Sequence, residues 1–256
     1  MSDQKTKAEQ FAALHRKGDP LILFNAWDPG SAVVVAKAGA KAIATGSYSV
    51  AEAMGFHDGE QTPLDLVLDN CRRIVGATDL PVTLDFEGGY STDPAVFAAN
   101  IRRVIAAGAV GVNFEDQVIG GMGLHVAGAQ AARIGAARAA ADQDCAGFFI
   151  NARCDVFLIN ERATHGPAQL AECLERGKAY ADGGADGLFA PGLVNPDMIA
   201  ELTEKSPLPV NIIMFPGAPD IAVLRSLGVA RISYGGGPYR VAMQALDQAA
   251  KTAFGV

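Results

Sequence analysis

The sequence predicts a parallel (β/α)8 barrel, and three observations carry that prediction. Short apolar, β-prone runs alternate with alanine-rich helical stretches along the whole chain, and eight such pairs fit within 256 residues. A weak internal repeat (Ala38-Gly39-Ala40, Ala107-Gly108-Ala109, Gly183-Gly184-Ala185, Leu227-Gly228-Val229) falls between a helical pattern and the next strand. Glycine there takes the left-handed conformation that closes a short αβ loop. Asp28-Pro29, Thr62-Pro63, Thr92-Asp93-Pro94 and Asn195-Pro196 read as helix starts, each with a capping side chain followed by proline in the first turn. A doubly wound open sheet is the competing architecture, but no GxGxxG follows the first strand.

In chain order the predicted strands are Leu21 to Asn25, Ala42 to Gly46, Val82 to Glu87, Gly111 to Glu115, Gly147 to Arg153, Gly187 to Ala190, Val210 to Phe215 and Arg231 to Tyr234. A helix of ordinary length fits every gap, and residues 1–256 form one domain. The third strand organises the rest. It opens at Pro81, runs apolar through Val82 and Leu84, and ends at Asp85 and Glu87 before Gly88-Gly89. Strand alternation puts both carboxylates on one face, where they need a cation, a cationic side chain or a raised pKa.

In a barrel, function gathers at the C-terminal rim of the strands. That rim collects Asn25, Trp27 and Asp28; Thr45, Gly46, Ser47 and Tyr48; Asp85 and Glu87; Asn113, Glu115 and Asp116; Asn151, Arg153 and Asp155; Asn211; and Ser233 and Tyr234. Acids from the third and fourth strands make an oxygen-rich site for a hard cation. Magnesium suits it better than zinc, with manganese as the alternative. Arg153 offers a fork-shaped donor for a substrate carboxylate, and a structural pairing with Glu115 is the competing reading. Tyr48 reads as a proton donor or a packed rim tyrosine. His125 reads as a donor on a closing loop or an exposed side chain.

Composition excludes several classes. A net charge of -7 without a basic stripe argues against nucleic acid, and no apolar run approaches a membrane span, so a cytoplasmic location is expected. Cys71, Cys145, Cys154 and Cys173 lack CxxC or His-paired spacing, and reduced, buried thiols are expected. No lysine lies at a predicted strand end, which disfavours a Schiff-base aldolase. Gly235-Gly236-Gly237 reads either as a phosphate cradle or as a tight turn.

Thr45-Gly46-Ser47-Tyr48, Met54-Gly55-Phe56-His57-Asp58, Leu84 to Tyr90, Asn113-Phe114-Glu115-Asp116-Gln117 and Asn151-Ala152-Arg153-Cys154-Asp155 together resemble the isocitrate lyase and phosphoenolpyruvate mutase superfamily. The resemblance implies a (β/α)8 barrel, commonly a homotetramer built as a dimer of dimers, whose C-terminal helix packs on or is exchanged with a neighbouring subunit. It implies that Asp85 is the principal magnesium ligand, with Glu87, Glu115 and Asp58 holding metal-bound waters. It further implies that Gly46, Ser47, Tyr48, Asp85, Arg153 and Asn211 bind a 2-oxo carboxylate, which reacts through a stabilised enolate.

The chain also departs from that pattern. Gln117-Val118-Ile119-Gly120-Gly121-Met122-Gly123-Leu124-His125 has neither the lysine and cysteine that the lyases carry nor the lysine and asparagine of the mutases. Ala190-Pro191-Gly192 and Ile212-Ile213-Met214 stand where lyases place polar residues, which implies a smaller or more apolar substrate. This loop is expected to be short and mobile. The leading expectation is a magnesium-dependent carbon–carbon lyase or decarboxylase of a small 2-oxo or 2-hydroxy acid. Phosphorus–carbon chemistry of the mutase or phosphonopyruvate hydrolase kind, a phosphate-sugar enzyme and a non-catalytic 2-oxo acid binder are the alternatives.

Overall fold

The computed structural model describes residues 2–255. The chain runs α1 (Ser2–Ala13), β1 (Leu21–Leu23), α2 (Pro29–Lys37), β2 (Ile43–Ala44), α3 (Ser47–Met54), α4 (Leu64–Gly76), β3 (Val82–Asp85), α5 (Pro94–Ala106), β4 (Gly111–Glu115) and α6 (Ala127–Asp144). It continues β5 (Phe149–Arg153), α7 (Val156–Ile159), α8 (Pro167–Asp182), β6 (Gly187–Phe189), α9 (Pro196–Lys205), β7 (Val210–Ile213), α10 (Ile221–Ser226), β8 (Arg231–Ser233) and α11 (Gly237–Phe254). All eight strands are parallel, in the order β1-β8-β7-β6-β5-β4-β3-β2. The fold is the (β/α)8 barrel.

Each strand lies within its predicted run, but several end early. Beyond Leu23, Ala44 and Asp85 the backbone keeps single bonds to its neighbours, such as the Thr45 amide to the Thr83 carbonyl and the Phe86 amide to the Asn113 carbonyl. At the seam between β1 and β2 the only ladder contact is a parallel bridge between Ala26 and Thr45, and Asn25 supplies the rest. Its Nδ2 donates to the Thr45 carbonyl at 2.7 Å, and its Oδ1 accepts from the amides of Tyr234 at 3.0 Å and Gly235 at 2.8 Å. One side chain therefore ties β1, β2 and the loop after β8 into a closed ring.

The helix signals act as their chemistry predicts, with one correction. Asp28, Asp93 and Asn195 accept from first-turn amides, each ahead of a proline. Gly39, Gly108, Gly184 and Gly228 follow their helices at φ of 100°, 94°, 94° and 82°. Thr62 does not cap α4: Pro63 takes that position, no side chain caps the helix, and Thr62 is buried. The polar N-terminal segment also conceals α1. Its Ala8 and Phe11, three apart and fully buried, close the floor of the barrel, and Gln4 donates to the carbonyls of Ile105 and Ala109.

Strand alternation sorts the core. Leu84, Val112, Ile150, Leu188, Ile212 and Ile232 are buried with the helices in one continuous apolar layer. Asn113, Asn151, Asn211 and Arg231 instead bond to one another across the barrel interior. Beyond Tyr239, α11 leaves the barrel: Val241 is 65% exposed, Leu246 61% and Phe254 81%. A groove of about 500 Å³ lined by Ile22, Phe24, Val34, Val35 and Arg225 runs beside α2 and α10. Among the described residues, no helix is long and apolar enough to cross a membrane.

Replacing Asn25 by alanine removes all three seam bonds and leaves backbone groups unpaired. We expect a loss of about 3 kcal/mol, read as a lowered urea midpoint at constant m-value.

Candidate active site

The mouth is built around Asp85. Its backbone amide donates to Thr45 Oγ1 at 2.9 Å, which places the carboxylate under the N-terminus of α3. Asp85 Oδ2 there accepts from the Ser47 amide at 2.9 Å, so the helix end and the strand end share one bond. The other oxygen, Oδ1, has only a long 3.5 Å contact from Asn113 Nδ2. α3 has no side-chain cap, and its first-turn amides point to the same space.

Glu87 departs from the strand-alternation expectation. β3 ends at Asp85, and Glu87 lies in the left-handed region at φ 48°. Its Oε2 accepts from the amides of Gly59 at 2.8 Å and Glu60 at 2.7 Å. Glu60 reciprocates, its Oε1 accepting from the Tyr90 amide at 2.6 Å. Glu60 and Tyr90, both at φ 59°, complete a clamp in which three non-glycine residues hold a costly backbone conformation. The clamp fixes the turn that presents Asp58, whose carboxylate is held by the Ser47 side chain. Arg133, stacked over Phe114, secures the same loop through the carbonyls of Gly88 and Ser91.

Arg153 occupies the opposite side of the mouth and makes the pairing with Glu115 that was the competing reading. It lines the cavity, but its Nη1 lies 2.5 Å from Glu115 Oε2. Its Nε and Nη2 meet the two oxygens of Asp155 at 2.6 and 2.8 Å. Asp155 is held from behind, its amide donating to Asp116 Oδ1 at 2.9 Å. Asp116 also accepts from Tyr180 Oη at 2.6 Å and Arg176 Nη1 at 3.2 Å. The two acids expected at the rim are thus a buried support behind Arg153.

The resulting cavity measures about 180 Å³. Gly46, Ser47, Tyr48, Asp58, Asp85 and Arg153 line it, joined by Asn25, Asn113 and Ser233. Its far wall is apolar: Leu158, Phe189, Pro191, Ile213 and Phe215. Arg240, one turn into α11, lies 5.5 Å over the Tyr48 ring at the entrance; only its position after the glycine triplet could have signalled it. Four expected site residues lie outside that lining: Glu87 and Glu115, bonded as described above, and Asn211 and His125. Asn211 sits below the cavity floor, 1% exposed and bonded to Ser233 and Asn151. His125 is absent from the lining. Its amide donates to the Asp116 carbonyl and its own carbonyl accepts from Arg176, which fixes it at the foot of an ordered hairpin. That hairpin, where a mobile loop was expected, is closed by pairing of Gln117 with Leu124 and leaves Met122 96% exposed at its tip. Cys154 is core, as alternation predicted, and all four cysteines are free and buried.

Electrostatically the mouth carries too many acids. Burial, reinforced by Asp58 and Asp85, pushes Glu87 up to about 7. Burial and the charge of Asp85 raise Asp58. Burial raises Glu115 against the pull of Arg153. Arg153 pays for its own burial with two carboxylates, which keep it charged. Among the described residues, no three His, Cys, Asp or Glu side chains converge as a ready metal cage. Glu87 is committed to the 59–60 turn and Glu115 to Arg153, so among the described residues Asp58 and Asp85 are the carboxylates that line the cavity, and Asp85 Oδ1 keeps only the long Asn113 contact.

Residues 11–254 match the phosphoenolpyruvate phosphomutase family. The chain belongs to this family, within the isocitrate lyase and phosphoenolpyruvate mutase superfamily. It is 50% identical to a phosphonomutase candidate of known crystal structure from Burkholderia cenocepacia J2315, with a TM-score of 0.95 over 99% of this chain and 100% of that one. It is 28% identical to the 2-methylisocitrate lyase of Salmonella typhimurium over 94% of this chain and 82% of the relative. The barrel of a phosphonopyruvate hydrolase crystallised with oxalate and Mg++ superposes with a TM-score of 0.84 at 22% identity, covering 97% of this chain and 88% of that one. The family members are carbon–carbon lyases and related enzymes.

The raised Glu87 sets a pH signature. An unfolded glutamate loses its proton near 4.5 and the folded one near 7, so across that window the unfolded state binds fewer protons. With a chelator present, stability should therefore fall as pH rises from about 4.5 to about 7 and then level. Glu87→Gln should flatten that part of the profile, measured by chemical denaturation at stepped pH.

Proposed function

We propose that the protein is a magnesium-dependent enzyme that breaks a carbon–carbon bond in a small 2-oxo acid, as a decarboxylase or lyase. The observation that carries this is the open oxygen of Asp85 amid acids whose proton affinity is raised by burial and by one another. An all-oxygen, charge-rich set with one direct ligand suits a hard ion that keeps most of its waters. Asp85 would hold the ion directly, and Asp58, Glu87 and Glu115 would serve its waters. Once bound, Mg2+ supplies the Lewis acid that favours an enolate.

The chain's own groups do the remaining work. The first-turn amides of α3 receive the oxygens of the 2-oxo acid, and Arg153, held rigid by Glu115 and Asp155, presents its outer N–H edge to the carboxylate. The apolar wall excludes water from the bond that breaks. Of the two carbon–carbon reactions, decarboxylation fits better. Carbon dioxide leaves without taking a proton, and the hairpin that would deliver one has no titratable side chain but His125, which lies outside the cavity lining. Tyr48, within the cavity, is the candidate donor to the enolate carbon.

Phosphorus–carbon chemistry is the second reading, favoured by the relative at 50% identity. Against it stands the 117–125 segment, which lacks the lysine and asparagine that the resemblance to mutases requires. We further propose a homo-oligomer in the cytoplasm, with the exposed apolar side of α11 seated in a neighbour's groove beside α2 and α10.

Asp85→Ala should abolish Mg2+-dependent oxalate binding in calorimetry, and unchanged affinity would remove the metal reading. Exchange of the C3 protons of pyruvate into deuterated water, dependent on Mg2+, separates a catalyst from a mere binder. For the assembly, Leu246→Glu should lower the mass found by light scattering to that of the 26.5 kDa chain.

A further inference from the structure

Beneath the cavity lies a cation that the reading above does not use. Arg231, the first residue of β8, is 1% exposed, and its side chain stands inside the barrel. Its Nη2 donates to Asn113 Oδ1 at 2.9 Å, across the barrel from β8 to β4. Nε and Nη1 are buried without a hydrogen-bond partner among the described residues. Among the described residues, no carboxylate forms an ion pair with it. Near it are the Phe11 ring at 6.0 Å and His15, which burial and the arginine itself hold neutral, with a pKa lowered to about 3. A buried guanidinium without a carboxylate partner costs folding free energy, and a merely space-filling role would be met more cheaply by an apolar side chain of similar volume.

Its one hydrogen bond shows what that cost is spent on. Asn113 Oδ1 receives two donors from below, Arg231 Nη2 and Asn151 Nδ2, both at 2.9 Å. With its carbonyl oxygen so fixed, the amide must turn its Nδ2 upward, where it meets Asp85 Oδ1 and lines the cavity. An amide inverted by 180° would aim an acceptor at a carboxylate. Asn151 does not secure the orientation alone, because an asparagine can itself flip, whereas arginine has no acceptor to offer. The charge of Asp85 favours the protonated Arg231 against its burial.

We propose that Arg231 is a positioning residue of the active site: it locks the Asn113 amide donor-side up and places a fixed positive charge under the anions that Asp85 and the substrate bring to the mouth. This role rests on the metal-and-acid reading given above. It is tested by calorimetric titration of oxalate at saturating Mg2+ into the full-length protein and its variants, alongside thermal unfolding of each.

Arg231→Met should unfold at or above the wild-type temperature, having lost a buried unpaired charge, yet bind oxalate at least about tenfold more weakly, about 1.4 kcal/mol. Arg231→Lys, also charged and donor-only, should recover most of the affinity. In an Asn113→Ala background the Arg231→Met change should cost clearly less than in the wild type, since part of its effect passes through that amide. Wild-type oxalate affinity in Arg231→Met, or a loss fully additive with Asn113→Ala, overturns the role while leaving the metal reading intact. Absence of Mg2+-dependent oxalate binding by the wild type overturns the metal reading, and this role with it.

Discussion

The arrangement of this barrel mouth depends on one electrostatic constraint. Asp85, Glu87 and Glu115 crowd the mouth beneath the exposed Asp58, and among the described residues Arg153 is the only guanidinium paired with any of them. Water would relieve such crowding, but burial has removed most of it. The chain compensates with neutral donors: the Ser47 amide on Asp85 and the Gly59 and Glu60 amides on Glu87. Those bonds explain features that otherwise look like defects. Three non-glycine residues sit at positive φ because only that path brings the 59–60 amides and the Tyr90 amide onto the two glutamates.

The same constraint reaches through the barrel. Most of the strand residues that meet the helices are aliphatic, while inside the barrel, beside Phe149, Phe189 and Ile213, three asparagines, a serine and an arginine bond to one another. Such an interior is stable only if its members satisfy each other, and here they nearly do, each amide fixing the orientation of the next. Arg231 is the exception. Its unpaired nitrogens form the underside of a column that ends at Asp85, so the floor and the mouth form one polar unit set inside an apolar shell.

How much of this the sequence discloses follows from the range of each interaction. The eight strands and most helix ends were legible because hydrophobic period, Asx-Pro starts and C-terminal glycines are local signals. Thr62 misled for the same reason: the Thr-Pro pair is a local signal, and burial overrode it. α1 was not legible, since two apolar residues three apart in a charged segment carry little periodicity. Asp85, Ser47, Tyr48 and Arg153 were legible as a rim because they end strands or follow them directly. The partner of Glu87 was not, because alternation holds only while the strand lasts and β3 stops two residues before it. Arg231 and Arg240 are invisible for a different reason: one earns its place through a bond spanning 118 residues, the other through a ring on a different helix.

The geometry also bears on why a chain of this family could dispense with an acid on the hairpin after β4. A retro-aldol cleavage asks for two proton movements, one off the hydroxyl and one onto the departing carbanion, and both groups must sit within hydrogen-bond reach. Here the wall opposite Asp85 is built from Leu158, Phe189, Pro191, Ile213 and Phe215, none of which moves a proton. A carboxylate turned toward that wall leaves water for a medium that cannot solvate its charge, and its conversion to neutral carbon dioxide relieves the penalty. On the decarboxylase reading proposed above, desolvation would therefore work in the same direction as enolate stabilisation by an Mg2+ held at Asp85, one destabilising the group that leaves and the other favouring the electrons it leaves behind. A single polar residue on that wall would set the two against each other, and an apolar one at every position keeps them aligned.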